Sequence, residues 1–197
     1  MSVRIETFKP EMAAEISQVL AQAFVTNPLN IAAFGAGQLK RNENFFRNSL
    51  VTMKGTKLAA IEDSHILGFI HWVHSPGCQV LGFEKLKITP AMIKGVSFSA
   101  AIRISRWLSI WAKHDPKESH LHLGPIGISP AAQRKHIGKQ LVERFIEELD
   151  RAGIAGYLEA DRPENTQFYK HFGFEIKNEV KVLDVPNYFM WRQGRNN

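Results

Sequence analysis

Apolar positions along this chain change period several times, and each change predicts an element. Val3, Ile5 and Thr7 alternate with Arg4, Glu6 and Phe8, the two-residue period of a short strand. After Pro10, the residues Met12, Ile16, Val19, Leu20 and Ala23 recur at helical spacing, which predicts a helix with one buried stripe. Asn27-Pro28 breaks that pattern, so 26–37 reads as a loop, and a second helix is expected over 39–53 with Phe45, Phe46, Leu50 and Met53 inward. Residues 56–62 and 65–74 read as an antiparallel hairpin turned at Asp63-Ser64, with Gly68 marking a bulge. From 75 to 116, Pro76, Gly77, Pro90 and Gly95 punctuate loops; 99–114 then has helical spacing and puts Trp107 and Trp111 on one face. That pair reads first as a core stripe, and alternatively as an element covering a substrate pocket.

The second half is more regular. Ser119 to Ile128 is a buried-looking strand ended by Ser129-Pro130, and 137–152 is a helix with Leu141, Phe145, Ile146 and Leu149 on its inner face and Gly153 as its stop. Residues 154–160 form the next strand, parallel to the previous one because a helix crosses between them. A short helix over 165–171 follows Pro163, and 174–183 and 188–192 make a final strand pair around Asp184 to Asn187. No internal repeat or low-complexity run divides the chain, so a single mixed α/β domain over 1–197 is expected.

Between the 119–128 strand and the 137–152 helix, Gln133-Arg134-Lys135-His136-Ile137-Gly138 carries two permanent cations and ends in Gly. The first N–H groups of a helix lack intrahelical partners and lie at its positive end, so a phosphate is favoured there. Gly138 has no Cβ to hold a ligand away from the main chain.

This loop resembles the Gln/Arg-x-x-Gly-x-Gly/Ala signature of the GNAT superfamily of N-acetyltransferases. Gly124-Pro125-Ile126-Gly127-Ile128-Ser129-Pro130 is similar to that superfamily's fourth strand and its exit. Tyr157-Leu158-Glu159-Ala160, Asn165-Thr166-Gln167-Phe168-Tyr169 and His171-Phe172-Gly173-Phe174 resemble its fifth strand, the following helix and the turn into the sixth strand. The motifs keep the family's order over about seventy residues, and their flavour is nearest the puromycin N-acetyltransferase-like group. One position departs: His136 stands where the signature has its first Gly.

The resemblance implies a central mixed, mostly antiparallel sheet of six to seven strands flanked by helices, with a splayed parallel strand pair holding acetyl-CoA as co-substrate. It implies that Ile126, Gly127 and Ile128 meet the pantetheine arm and that Asn165 contacts it by its side chain. The pyrophosphate would lie on Gln133, Arg134, Lys135, His136, Ile137, Gly138 and Lys139. Tyr169 falls on the general acid that serves the departing thiolate, and it borders the cofactor as well. For the base, Glu159 is one candidate, a carboxylate in an apolar strand; His122 is the other, an imidazole that titrates in the right range. His120 shares the face of His122 but lies farther from the strand exit. The acceptor is expected to be an amine of a small molecule or peptide, no metal is required, and a homodimer is compatible with the exposed strand ends of such sheets.

Composition narrows the alternatives. The net charge of +6 suggests an anionic partner, yet Lys and Arg are spread along the chain and mixed with acids, as in Glu143-Arg144, which disfavours a nucleic-acid track. His65, His71 and His74 cannot all share one face of a regular strand, so no metal is expected there. The one cysteine, Cys78, cannot form an intramolecular disulfide, and with neither leader-like start nor a long apolar run a cytoplasmic, non-membrane protein is expected. An acyl-CoA-binding regulator without turnover and a transferase of longer acyl groups are the remaining alternatives.

Overall fold

The computed structural model describes residues 3–75 and 96–195; the expected loops at Pro76, Gly77, Pro90 and Gly95, and the turn at Cys78, lie outside the described residues. The elements, in order, are β1 (Arg4–Thr7), α1 (Ala13–Phe24), α2 (Pro28–Phe34), α3 (Leu39–Thr52), β2 (Thr56–Glu62), β3 (His65–His74) and α4 (Phe98–His114). They continue with β4 (His120–Ile128), α5 (Ile137–Ala152), β5 (Ala155–Ala160), α6 (Pro163–Lys170), β6 (Glu175–Val182) and β7 (Val185–Arg192).

Three expectations shift. Residues 28–34 are helical because Asn27 and Pro28 start a helix rather than only ending one: the Asn27 side chain accepts the Asn30 N–H, and Pro28 occupies the first turn, where its missing N–H costs nothing. The same logic moves the start of α6 from 165 back to Pro163. The last turn is Leu183-Asp184, both at positive φ, so β7 opens at Val185 instead of 188.

The strands form one seven-stranded sheet in the order β1-β2-β3-β4-β5-β7-β6. All neighbours are antiparallel except β4 and β5. One face packs on α1 to α4 through Leu20, Phe34, Leu50, Phe69 and Trp107. The other packs on α5 and α6 through Ile70, Leu121, Leu141, Phe145 and Phe174. Burial of those two apolar faces is the main source of stability. Among the described residues, no helix is long and apolar enough to cross a membrane.

Two irregularities interrupt the ladders at the centre of the sheet. Ala60 faces Gly68 while Ile61 faces Ile66, so Leu67 is the extra residue of a bulge beside the Gly68 that marked it. On β4, Ile126 faces Ile70 and Leu123 faces Trp72, so Gly124 and Pro125 together oppose His71. Proline is tolerated there because a bulge needs no ladder N–H. Gly124 is required by packing, since a Cβ would lie 2.3 Å from His71 Nδ1. Burial lowers the pKa of that imidazole to about 4, so His71 is neutral, and its Nε2 meets the Lys54 carbonyl at 2.6 Å.

Candidate active site

β4 and β5 pair only from His120 to His122 against Ala155 to Tyr157. Beyond that point β4 runs on to Ile128 and β5 to Ala160 without pairing to each other. The bulge at Gly124-Pro125 bends β4 away at the place where the ladder stops. A strand with one unpaired edge inside a sheet is a ready acceptor of an extended, amide-bearing ligand.

The gap opens into a cavity of about 230 Å³. Its strand walls are Leu123 to Ile126 on β4 and Leu158 to Ala160 on β5, with Asn165 and Tyr169 of α6 at one side. Opposite lies an aromatic wall: Phe24 from α1, Phe45 and Phe46 from α3, Trp107 and Trp111 from α4. These rings pack edge and face on one another, Trp107 to Trp111 at 5.1 Å and Phe24 to Phe46 at 5.2 Å between centroids. The tryptophan pair is therefore both core and cavity wall. Of the apolar residues near the first helix end, Phe24 reaches the cavity, whereas Leu29 and Phe34 are buried in the core.

Glu159 sits on the cavity wall with its side chain 2% exposed. Its Oε2 accepts from His122 Nε2 at 2.8 Å, while Oε1 is buried with no hydrogen-bond partner among the described residues. The two base candidates are thus one unit: Glu159 belongs to the cavity wall and His122 does not, and the imidazole holds the carboxylate in place through Oε2. Tyr169 lines the same cavity, and burial, reinforced by the charge of Asp161, pushes its phenol well above the usual tyrosine range. The phenol therefore keeps its proton at neutral pH.

Asp161 and Arg162 were not singled out by sequence reasoning. Asp161 accepts from the Asn27 amide at 2.8 Å and from the Leu29 N–H at 3.1 Å, tying the end of β5 to the start of α2. Arg162 adds a hydrogen bond to the Thr26 carbonyl. The pattern Glu-Ala-Asp-Arg at a strand end is the signal, since two carboxylates on one strand face need partners.

The anion loop lies past the exit of β4. Gln133, Arg134, Lys135 and His136 are exposed, and α5 begins at Ile137. Arg134 and His136 have φ of 65° and 60°, so the loop does curl as tightly as a glycine signature requires, with side chains where glycine is cheapest. A Cβ on Gly138 would touch only Ile128 Cγ1, at 3.6 Å. The protein's own packing therefore leaves space there for a ligand to reach the main chain. Gly127, by contrast, is small for packing: its Cβ would lie 2.8 Å from Leu20 Cδ2. Replacing His136 with Gly removes about 1–2 kcal/mol of left-handed strain and adds about 0.5–1 kcal/mol of unfolded-chain entropy. The expected net is a thermal midpoint higher by about 2 °C, read by calorimetry.

The profile of the Acetyltransferase (GNAT) family matches residues 29–174. The chain belongs to that family. The GNAT match spans the gap, the anion loop and the cavity wall apart from Phe24 and Asn27, so the chain is an acetyltransferase of that family. Several solved structures share the GNAT fold. One is a histone acetyltransferase HPA2 and related acetyltransferase from Corynebacterium glutamicum, 18% identical, with 100% of this chain and 99% of that one aligned at a TM-score of 0.74. Another is arylalkylamine N-acetyltransferase 2 from Aedes aegypti, 16% identical over 98% of this chain and 99% of that one, TM-score 0.70. A GNAT acetyltransferase from Brucella melitensis in complex with acetyl-CoA is 20% identical over 98% of this chain and 93% of that one, TM-score 0.53.

Proposed function

We propose that this chain, acting as one domain, transfers the acetyl group of acetyl-CoA to the primary amine of a compact, largely apolar small molecule. The observation that carries the reading is the cavity itself: it lies at the open edge of β4, holds Glu159 and Tyr169 together, and is walled by aromatic rings. Its 230 Å³ suits a small amine better than a peptide chain. Within the family, the spacing of Leu158-Glu159, Asn165 and Tyr169 favours the puromycin N-acetyltransferase-like group.

Ile126 to Ile128 would pair with the pantetheine arm as an added strand, Asn165 would bond to it, and the loop from Gln133 to Lys139 would hold the pyrophosphate. Acetyl-CoA supplies the activated thioester. An alkylamine near pH 7 is charged, and taking it to its neutral form costs roughly 4 kcal/mol for a group about three pKa units away. Glu159 Oε1 takes that proton, directly or through a water, while His122 fixes the carboxylate through Oε2. The amine nitrogen bonds to the carbonyl carbon, the main-chain N–H near Ile126 donates to the developing oxyanion, and the carbon–sulfur bond breaks. Tyr169 donates its proton to the leaving sulfur and takes the second proton of the amine from the new amide nitrogen, while Glu159 returns the first to solvent.

A thiol-release assay against arylalkylamines, polyamines, amino acids and lysine peptides tests the acceptor class. Arylalkylamines are expected to show the highest kcat/KM, at least tenfold over polyamines. A preference for polyamines or lysine peptides would overturn the small apolar acceptor, and release from none of them would turn the reading toward a binding protein or another acyl group.

A further inference from the structure

A second constellation lies at the paired ends of β4 and β5, behind Glu159. Asp115 directly follows α4, and His120 and His122 share one face of β4. Asp115 Oδ1 lies 3.6 Å from His120 Nε2 and 3.6 Å from His122 Nδ1, and one ligand atom of each residue falls within 4.8 Å of the others. The site is shielded, with side-chain exposures of 9% for Asp115, 0% for His120 and 13% for His122.

Hydrogen bonding identifies one protonated nitrogen on each ring. His120 Nδ1 is 2.8 Å from the Glu118 carbonyl, which can only accept, so Nδ1 is the protonated nitrogen. His122 Nε2 likewise donates to the Glu159 carboxylate at 2.8 Å. His120 Nε2 and His122 Nδ1 are the ring atoms turned toward Asp115. A separation of 3.6 Å exceeds an N–H···O bond. It is close to the edge of a coordination tetrahedron, about 3.3–3.4 Å for bonds of 2.0–2.1 Å. Asp115 also places a negative charge at the negative end of the α4 dipole, which a cation would reverse.

We propose that Asp115, His120 and His122 bind Zn2+, with water as a fourth ligand. Two imidazoles and one carboxylate are a zinc-type donor set. Each imidazole is oriented through its far nitrogen by an oxygen, the Glu118 carbonyl or the Glu159 carboxylate, the support that metal-bound histidines use. The ion pins the end of α4 to β4, and α4 carries Trp107 and Trp111 of the cavity wall. This site stands on its own side chains and does not depend on the acceptor proposed above.

Tag-free protein, stripped with a chelator and dialysed, is titrated with Zn2+ against a chromophoric competitor, and in parallel with Co2+ read by visible absorption. One Zn2+ per chain, a tetrahedral Co2+ spectrum and a thermal midpoint that rises with Zn2+ concentration are expected. Asp115→Asn should weaken Zn2+ at least tenfold, and Glu159→Gln by a smaller factor, because the amide oxygen still accepts from His122 Nε2 but no longer carries the charge that strengthens the imidazole as a ligand. His65→Ala, an exposed histidine elsewhere, should leave the affinity unchanged. Substoichiometric Zn2+ in the wild type, or an Asp115→Asn variant that binds like wild type, would overturn the site; the wild-type titration decides even where a variant folds poorly.

Discussion

Tyr169→Phe is expected to lower kcat for acetyl transfer by about a hundredfold or more, the scale of a general acid. The KM for acetyl-CoA should change little. The phenol is buried between the cavity and the core ring of Phe174, with centroids 6.1 Å apart, so phenylalanine fills the same space and the fold should stand. Because burial and Asp161 hold the phenol proton on, the wild-type limb of the pH–rate profile should show no loss from Tyr169 ionisation below the ordinary tyrosine range. Steady-state kinetics with thiol detection, beside a thermal melt of both proteins, reads all of this. A variant with near wild-type kcat would place the acid elsewhere.

Glu159→Gln is expected to cost a similar factor, about 10²–10³ in kcat, with a particular dependence on the acceptor. The amide oxygen of glutamine still accepts from His122 Nε2, so the geometry behind the cavity is kept while the proton acceptor at Oε1 is lost. Amines that are already neutral at the assay pH need no base. Their rates should fall much less than those of alkylamines, and this difference is the measurement to make. An equal loss for both classes would mean that Glu159 acts only by holding His122 and the strand.

The cofactor half of the fold was legible because it is written in local chemistry. Strand, Pro-ended exit, cationic loop and amphipathic helix occur consecutively from Ser119 to Ala152, and the helix bounds of 137–152 match α5 residue for residue. The splay of β4 from β5 was readable only through the family likeness, since no single residue encodes where a ladder stops; Gly124-Pro125 shows afterwards how the bulge is made. The acceptor half was less legible. Phe45, Phe46 and Trp107 have the spacing of ordinary core stripes, and only tertiary packing reveals that one edge of the cluster faces a cavity. Asp115 was invisible for a different reason. Its partners stand on another element, and a lone Asp before Pro116 reads as a helix stop.

The central claim is that the open edge of β4 and the loop after it hold acetyl-CoA. Amide hydrogen exchange with and without acetyl-CoA addresses it most directly. The account predicts added protection in peptides covering Ile126 to Ile128 and Arg134 to Lys139, with the β1–β2 edge of the sheet unchanged. Protection confined to other parts of the chain, or none at millimolar acetyl-CoA, would contradict it.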